Sequence, residues 1–251
     1  MEKLFLLIIP FFDEAHRFKE ESLLELLNID EFHIVMVNDG SNDSLPRRIT
    51  QLAQSHQNLS LVSLSRNSGK AEALRHSFIQ YANSGYKLIG FTDADFSTPT
   101  SEIVRLFSIA ANISDERYAV FATRDAYHTP QIKTILPRRV AGRAFQFLTN
   151  CIFRMDFQDL QCGMKIFSAN LVRTDLLNEA FLNQWLFDIE FLLRMKETLP
   201  KVFEVRLLKW KHEPGSKVRF THSAKLCWSI FLLWRHYGHF YRNTLLVRRL
   251  E

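Results

Sequence analysis

The sequence predicts an α/β fold built on a doubly wound, mostly parallel sheet. Short apolar runs alternate with amphipathic segments through the first half of the chain, as strand–helix–strand units require. Four of these runs end in charged or amide side chains, and ligands of such sheets bind beyond the carboxyl ends of the strands. With 47% hydrophobic and 24% charged residues among 251, the chain can bury the core of one large domain.

The apolar runs are predicted as strands because each is short and is followed by a polar turn. The segment at 69–82 is predicted as a helix, with Ala73, Phe78 and Tyr81 among its apolar positions. The predicted strands are 4–9, 32–40, 59–65, 87–95 and 117–125, and the helical segments between them include one that ends at 28, one between 41 and 58, and 69–82.

The N-terminal apolar run is predicted to be the first strand and not a signal peptide. It is short, is interrupted by Pro10 and leads into acidic residues. No stretch of the sequence reaches the roughly 18 apolar residues that a membrane-spanning helix needs. We therefore expect neither a signal peptide nor a transmembrane segment.

The second half of the chain is richer in aromatic and basic residues. Segment 136–155 is predicted as a helix, and segment 221–250 combines large apolar groups with Arg, Lys and His but has almost no acid. No repeat or linker is evident, so we predict one domain at 1–220 and a C-terminal helical extension at 221–251. Both segments have the composition of amphipathic helices at an anionic membrane surface. A helix that covers the core, or an oligomer contact, would have the same pattern.

Charge and cysteine content exclude several classes of protein. The net charge of +5 permits an anionic partner such as phosphate, nucleotide or a lipid surface, but no dense basic run predicts nucleic-acid binding. Cys151, Cys162 and Cys227 are widely spaced and form no CxxC pair. This favours a reducing compartment over a zinc site or a disulfide framework.

Two aspartates one residue apart, Asp93 and Asp95, come directly after the apolar run at 88–91. They have three interpretations. A hard divalent cation such as Mg²⁺ takes one or two carboxylates together with substrate phosphates. One aspartate can be a nucleophile, as in phosphatases of the haloacid dehalogenase type. The third interpretation is a polar turn without function.

Other predicted strands also end in groups that suit a nucleotide. Asp39 lies in a glycine-containing turn, where its carboxylate can accept hydrogen bonds from a ribose or a base. The segment SRNSGKAEAL follows the third strand and opens a helix, so that Arg66, Lys70 and the helix N-terminus are available to an anion. These groups favour a ligand-binding interpretation of the aspartate pair.

Seven segments, in this order, resemble family 2 glycosyltransferases: IIPFFDE, VNDGS, SRNSGKAEAL, FTDADFSTP, DLQCGMKIF, WLFDIEFLLR and WKHEPGSKV. Dolichyl-phosphate and polyprenyl-phosphate glycosyltransferases, especially dolichyl-phosphate glucosyltransferases, are the members that the sequence is most similar to. The resemblance covers residues 4–220 approximately. It implies a GT-A fold, an inverting reaction, a nucleotide-sugar donor, and Mg²⁺ or Mn²⁺ as cofactor.

The resemblance implies roles for residues on the donor side. Asp93 and Asp95 correspond to the pair that holds the metal on the diphosphate, and Asp39 to a residue that binds uracil or ribose. The full set for the nucleotide sugar is Pro10, Phe12, Glu14, Asp39, Lys70, Asp93, Ala94, Asp95, Asp188 and Lys217. Two positions depart from the family. Asp13 stands where the family commonly has Asn, and Ser97 stands where mannosyl relatives have Gln, which disfavours a mannose donor.

A phosphate acceptor needs cations to position it, since it is already largely dianionic at neutral pH. Arginine binds phosphate in planar, two-bond geometry. The candidates for the acceptor phosphate are Arg124, Arg138, Arg139, Arg143 and His212. For the three arginines at 138–143, a solvated basic face is an equal alternative.

The segment DLQCGMKIF contains the remaining predicted catalytic residue. Asp159 matches an acidic position that the resemblance places near the acceptor entrance, where it would orient the acceptor or a sugar hydroxyl, or act as base for an alcohol. Asp159, Asp95 and Arg124 are therefore the predicted catalytic residues. Cys162 is predicted to be a packed residue, because inverting transfer needs no covalent enzyme intermediate.

The sequence thus predicts a metal-dependent enzyme that moves a hexose, glucose from UDP-glucose in the first instance, onto a polyprenyl or dolichyl phosphate. We expect it to bind peripherally to the cytoplasmic face of a membrane, because relatives commonly have an N-terminal membrane anchor that this sequence does not show. One alternative is a family 2 transferase with a saccharide or protein acceptor. Another is a non-catalytic protein that binds a nucleotide sugar or a membrane surface.

Overall fold

The structure, a computed structural model, describes residues 4–124, 136–172, 174–196, 201–211, 223–238, 245 and 247–250. Side chains within these segments are described except at 136–141, 174–175 and 223–227. The strands are β1 (Phe5–Phe11), β2 (Phe32–Asn38), β3 (Leu59–Ser63), β4 (Leu88–Phe91), β5 (Tyr118–Thr123), β6 (Lys165–Ser168), β7 (Lys201–Arg206) and β8 (Val247–Leu250).

Seven α-helices accompany the strands within the described segments. They are α1 (Glu20–Leu27), α2 (Leu45–Ser55), α3 (Lys70–Tyr81), α4 (Thr100–Ala111), α5 (Leu136–Phe153), α6 (Phe187–Lys196) and α7 (Ser223–Tyr237). A short 3₁₀ helix, Thr174–Leu177, precedes α6. The five strands and the helices predicted in the first half of the chain are all present, within a few residues of their predicted ends.

The eight strands form one sheet in the order β3-β2-β1-β4-β6-β5-β7-β8. All neighbouring strands are parallel except β6, which is antiparallel to both β4 and β5. The predicted doubly wound, mostly parallel sheet is therefore confirmed. The antiparallel strand was not predicted, and it brings the start of β6 to the same edge as the ends of β4 and β5.

Both faces of the sheet are covered, which explains why the strands are apolar throughout. Successive residues of β1 alternate between two hydrophobic layers, with Leu6 and Ile8 in one and Leu7 and Ile9 in the other. Aromatic rings fill much of the first layer, where Phe167 and Phe191 meet edge to face with centroids 5.0 Å apart. The core accounts for many of the 22 phenylalanines.

The segment predicted as a helical extension contains a helix and then a strand. Helix α7 buries Ile230, Leu233 and Tyr237 in the core, and β8 pairs in parallel with β7 as an edge strand. The end of this segment, β8, therefore belongs to the same sheet as the preceding strands, whereas the sequence predicted only helix there. The sequence of β8, VRRL, has two adjacent arginines and so lacks the alternation of apolar and polar residues that would predict a strand. In the described segments, no helix combines the length and apolar character needed to cross a bilayer.

Gly90 lies where β4 is in close contact with α4 and β6. A Cβ added at this position would be 2.7 Å from Cζ of Phe107 and 2.9 Å from the carbonyl oxygen of Lys165. We expect Gly90→Ala to lower the free energy of unfolding in urea by about 1–3 kcal/mol, because neither neighbour can retreat in a packed core. Gly142→Ala in α5 is the matched control. Its added Cβ meets no atom within 4 Å, so stability should be unchanged or slightly raised. An unaltered urea midpoint for Gly90→Ala would contradict this packing.

Candidate active site

The polar residues that follow the strands gather at one edge of the sheet. The carboxyl ends of β1, β2, β4 and β5 meet there because these strands run in the same direction. Lys165, at the start of the antiparallel strand β6, lies opposite both Phe91 and Phe121 and so reaches the same edge. The predicted residues at the ends of four strands therefore lie at one edge of the sheet, together with Lys165, which was not predicted.

A strained turn places the two aspartates at this edge. Phe96, directly after Asp95, has a φ of +49° and is 2% exposed. A left-handed backbone at a bulky residue costs about 1–3 kcal/mol, and burial of the ring offsets it. The turn is closed by two hydrogen bonds, from the Phe96 N–H to the Asp93 carbonyl at 3.2 Å and from the Ser97 N–H to Oδ1 of Asp95 at 2.9 Å.

Asp93 is paired with Lys70, the first residue of α3. Nζ of Lys70 donates to Oδ1 of Asp93 at 2.6 Å. Burial raises the pKa of Asp93, but Lys70, Lys165 and Arg124 outweigh it and hold the pKa below the ordinary value. The Asp93 carboxylate occupies the space that a Cβ at Gly163 would fill, so Asp93 fits against the backbone only because residue 163 is glycine.

Asp95 faces an arginine that was not predicted. Nη1 of Arg17 lies 3.4 Å from Oδ2 of Asp95, while Nε and Nη2 of Arg17 donate to the carboxylate of Glu14, the latter at 2.5 Å. The hydrogen bond to Glu14 raises the pKa of Arg17 above its ordinary value. Glu14, predicted to contact the nucleotide, therefore holds Arg17 beside the aspartates. The three-residue spacing of Glu14 and Arg17 was the signal available in the sequence.

The aspartate pair suits a hard divalent cation. Mg²⁺ and Mn²⁺ take oxygen ligands, and Asp93 and Asp95 present their carboxylates from one turn. In the part of the chain that the structure describes, no group of three or more His, Cys, Asp or Glu side chains could hold a metal ion. Two carboxylates leave further coordination positions on such an ion, which water or the phosphates of a bound ligand can fill.

Asp39 is engaged by the loop that leads into α3. Its Oδ1 accepts the N–H of Ser68 at 2.7 Å, and its Oδ2 accepts the N–H of Gly69 at 2.8 Å. Burial raises the pKa of Asp39, and the two amides oppose that effect without cancelling it. Nε2 of Gln184 holds the same loop from the other side by donating to the Ser68 carbonyl at 2.6 Å. Asp39 thus shapes the edge beside the aspartates, and direct contact with a nucleotide remains a prediction.

The remaining residues of the first predicted motif lie at the end of β1. Pro10 pairs with Val37 of β2, and Phe12 is half-buried just beyond the strand. Asp13 has a φ of +47° and accepts the N–H of Asn42 at 2.9 Å. Aspartate, like asparagine, tolerates a left-handed backbone, so the departure from the family at this position preserves the turn. Ala94 is buried between the two aspartates.

Arg124 and Asp159 form a tight pair on the other side of the aspartates. Nε and Nη2 of Arg124 donate to the two carboxylate oxygens of Asp159 at 2.6 and 2.9 Å, and the Arg124 guanidinium lies 5.3 Å from the ring centre of Trp210. Burial raises the pKa of Asp159, but Arg124 outweighs it and holds the pKa below the ordinary value. A carboxylate that stays ionised is a weak proton acceptor. The geometry favours an orienting role for Asp159 over that of a base.

Lys165 is a buried cation beneath the site. Its Nζ donates to the Cys162 carbonyl at 2.7 Å and lies 2.8 Å from Oδ1 of Asp188, the residue predicted to shape the sugar pocket. The rings of Phe91 and Phe121 lie close to the same ammonium. Cys162 is buried, and burial raises the pKa of its thiol to about 11, as suits the packed residue that was predicted.

Several predicted acceptor residues are only partly described. Arg143 lies on the exposed side of α5. Arg138 and Arg139 belong to the same helix, but their side chains lie outside the description. His212 and Lys217 fall outside the described residues. The phosphate contacts assigned to these side chains therefore remain predictions.

A buried acid supports the loop that contains Asp159. Oε1 of Glu204, in β7, accepts the N–H groups of Gln158 at 2.7 Å and of Asp159 at 3.2 Å. Its Oε2 lies 3.7 Å from Nε of Arg249 in β8. Burial raises the pKa of Glu204 to about 7, because the two amides and Arg249 only partly compensate. Glu204 was not predicted, although an acid inside an apolar strand was a visible signal.

Comparison with known proteins agrees with this geometry. The model of the family described as glycosyl transferase family 2 matches residues 6–181. A dolichyl-phosphate beta-glucosyltransferase from Trichomonas vaginalis is 24% identical over 231 residues, which are 87% of this chain and 69% of the relative. A dolichyl-phosphate beta-glucosyltransferase from Drosophila melanogaster is 25% identical over 90% of this chain and 69% of its own length.

One solved structure with a similar fold is glucosyl-3-phosphoglycerate synthase from Mycobacterium tuberculosis, in complex with Mn²⁺, UDP and glucosyl-3-phosphoglycerate. It superposes with a TM-score of 0.61 at 17% identity, over 95% of this chain and 80% of its own. At this identity the likeness concerns the fold. It confirms the GT-A architecture that the sequence resemblance implied.

The raised pKa of Glu204 makes stability depend on pH. A carboxyl group whose pKa rises from 4.5 to about 7 on folding contributes stability that is complete below pH 4.5 and is lost as the pH rises through about 7. Glu204→Gln keeps an acceptor for the two amides and removes the charge. We expect it to be more stable than the parent by about 2–3 kcal/mol near pH 8.5, with little difference near pH 4.5, in urea unfolding.

The control for this prediction is Glu25→Gln, which removes an exposed acid from α1. Its stability relative to the parent should be the same at both pH values. A Glu204→Gln variant that is no more stable than the parent at the higher pH would show that Glu204 is well compensated as a carboxylate.

Proposed function

Because the chain belongs to glycosyl transferase family 2 and is a glycosyltransferase, we propose that it transfers a hexose from a nucleotide sugar to a polyprenyl or dolichyl phosphate, with inversion. UDP-glucose is the proposed donor, and Mg²⁺ or Mn²⁺ the proposed metal. The observation that carries this proposal is the aspartate pair at the sheet edge, with Lys70 paired to Asp93 and Arg17 beside Asp95. Relatives named as dolichyl-phosphate beta-glucosyltransferases, at 24–25% identity, support the choice of sugar and acceptor.

The donor side has the charges that a departing nucleoside diphosphate requires. When bound, a divalent ion at Asp93 and Asp95 would offset the negative charge that grows on the diphosphate as the glycosidic bond breaks. Lys70 and Arg17 lie on the two sides of the pair and add positive potential at the same place. The loop braced by Asp39 would form the wall of the nucleotide pocket.

The acceptor side has a fixed cation and a poor base, which suits an acceptor that is already ionised. Asp159 and the ring of Trp210 hold the Arg124 guanidinium in one orientation. The pair with Asp159 engages Nε and Nη2 of Arg124. The N–H groups of Nη1 are not needed for this pair and would donate hydrogen bonds to a phosphate oxygen. A phosphate dianion attacks without losing a proton, and no residue of this site has to accept one.

We also propose that α7 rests on an anionic membrane surface, from which the enzyme takes its lipid acceptor. Trp228, Phe231 and Trp234 form an exposed aromatic ridge on this helix, with successive ring centres 5.4 and 6.1 Å apart. Neither α7 nor α5, which packs against it, contains an acidic residue. A basic, aromatic helix face complements anionic headgroups and their acyl boundary.

The metal role predicts the effect of Asp95→Asn. This variant loses the charge of one ligand and should lower kcat for glucose transfer from UDP-glucose to a polyprenyl phosphate by about 10²–10³-fold. Product analysis with radiolabelled donor and Mn²⁺ measures it. Asp30→Asn, which changes an exposed acid outside the site, should retain parental activity. Full activity of Asp95→Asn would refute the metal role, and transfer to free saccharides alone would refute the lipid acceptor.

The aromatic ridge predicts the effect of replacing Trp228, Phe231 and Trp234 together by alanine. Affinity for vesicles that contain anionic phospholipid should fall by about tenfold or more, because the exposed apolar area of α7 is lost. Vesicle sedimentation measures it, and circular dichroism checks the fold. Leu4→Ala/Ile79→Ala, which removes other exposed apolar side chains, is the control. Retained vesicle binding by the triple variant would contradict the proposal. So would a parent protein that is dimeric in solution and becomes monomeric in the triple variant, because the ridge would then be a contact between two copies.

A further inference from the structure

We propose that Lys70 competes with the divalent metal for Asp93, so that metal binding at this site is an exchange of the lysine ammonium for the ion. The inference rests on the metal role proposed above. It concerns the pairing of the two aspartates with side chains of the protein itself. Lys70 holds Asp93, and Arg17 lies beside Asp95.

The geometry makes the two cations compete for the carboxylate of Asp93. Nζ of Lys70 lies 2.6 Å from Oδ1 of Asp93. Metals of this class bind carboxylate oxygens at about 2.0–2.2 Å, so an ion on the same carboxylate would lie within a few ångströms of the ammonium. Two cations at that separation repel strongly in a half-buried site. Each cation therefore weakens the binding of the other, and a metal on Oδ1 requires the ammonium to move away.

Lys70 is held less firmly than Arg17. The Lys70 side chain is 35% exposed, and within the described residues its ammonium forms an ion pair with Asp93 and lies 5.3 and 5.7 Å from the ring centres of Phe91 and Phe187, at the end of a flexible stem. Arg17 is fixed by two hydrogen bonds to Glu14, and its contact with Asp95 is longer, at 3.4 Å. Arg17 therefore stays in place as a constant positive charge, and Lys70 is the cation that the metal displaces.

The displaced Lys70 ammonium can pair instead with the diphosphate of a bound nucleotide. Lys70 is the first residue of α3, next to the Ser68 and Gly69 amides that Asp39 holds in position. A diphosphate bound to the metal brings at least two negative charges to this end of the helix. Lys70 thus opposes the metal when no nucleotide is present and assists the metal–nucleotide complex once it has formed. The sign of its effect reverses between the two states.

Binding of Mn²⁺ to the Lys70→Met variant tests this reversal without any turnover. In the absence of nucleotide, titration calorimetry or the electron paramagnetic resonance of free Mn²⁺ should give a Kd about tenfold lower than that of the parent, because the competing cation is gone. With UDP present, the Kd of the Mn²⁺–UDP complex should instead rise by about tenfold. Lys70→Gln should change both constants in the same directions, and circular dichroism checks that each variant is folded.

Arg66→Met is the matched control. Arg66 is an exposed cation in the loop before α3 and takes part in neither ion pair with the aspartates. Its loss removes the same formal charge and should change the Kd for Mn²⁺ alone by less than about twofold. A Lys70→Met variant that binds Mn²⁺ no more tightly than Arg66→Met overturns the exchange and leaves the proposed function standing. Absence of Mn²⁺ binding by every variant, with and without UDP, overturns both.

Discussion

The site depends on a charge balance at the sheet edge. Asp93 and Asp95 lie on one strained turn, and two carboxylates this close in the sequence repel unless cations lie nearby. Four elements supply those cations: the turn after β1, the start of α3, the end of β5 and the start of β6. Each of these elements therefore contributes a positive charge that stabilises the aspartate pair, and a shift of any one of them would change the electrostatic balance at the site.

Much of the architecture could be predicted because its causes are local. A strand buried on both faces has to be apolar throughout, so the runs that became β1, β2 and β4 were recognisable. The polar residues at their ends were also visible, and parallel strands place those residues together. The position of the aspartate pair at the sheet edge therefore follows from the sequence alone.

The partners of these residues could not be predicted, because they depend on topology. Lys165 reaches the site only because β6 runs against its neighbours, and nothing in the four-residue sequence KIFS indicates the direction of the strand. Arg124 and Asp159, 35 residues apart, were assigned separate roles, whereas the structure pairs them. Glu204 acts on Asp159 through backbone amides, a contact that requires the loop and β7 to be adjacent.

The central position of β6 also has a consequence for how the chain reaches its native state. β6 lies between β4 and β5, yet it follows both along the sequence and is separated from β5 by the whole of α5. Until residue 168 has been synthesised, β4 and β5 have no common neighbour and each exposes an unpaired edge in the middle of the future sheet. Closing this gap demands long-range contacts, which form slowly. Unpaired strand edges of this kind are a feature of aggregation-prone folding intermediates, so the late arrival of β6 makes the middle of the sheet the part of the fold that is completed last.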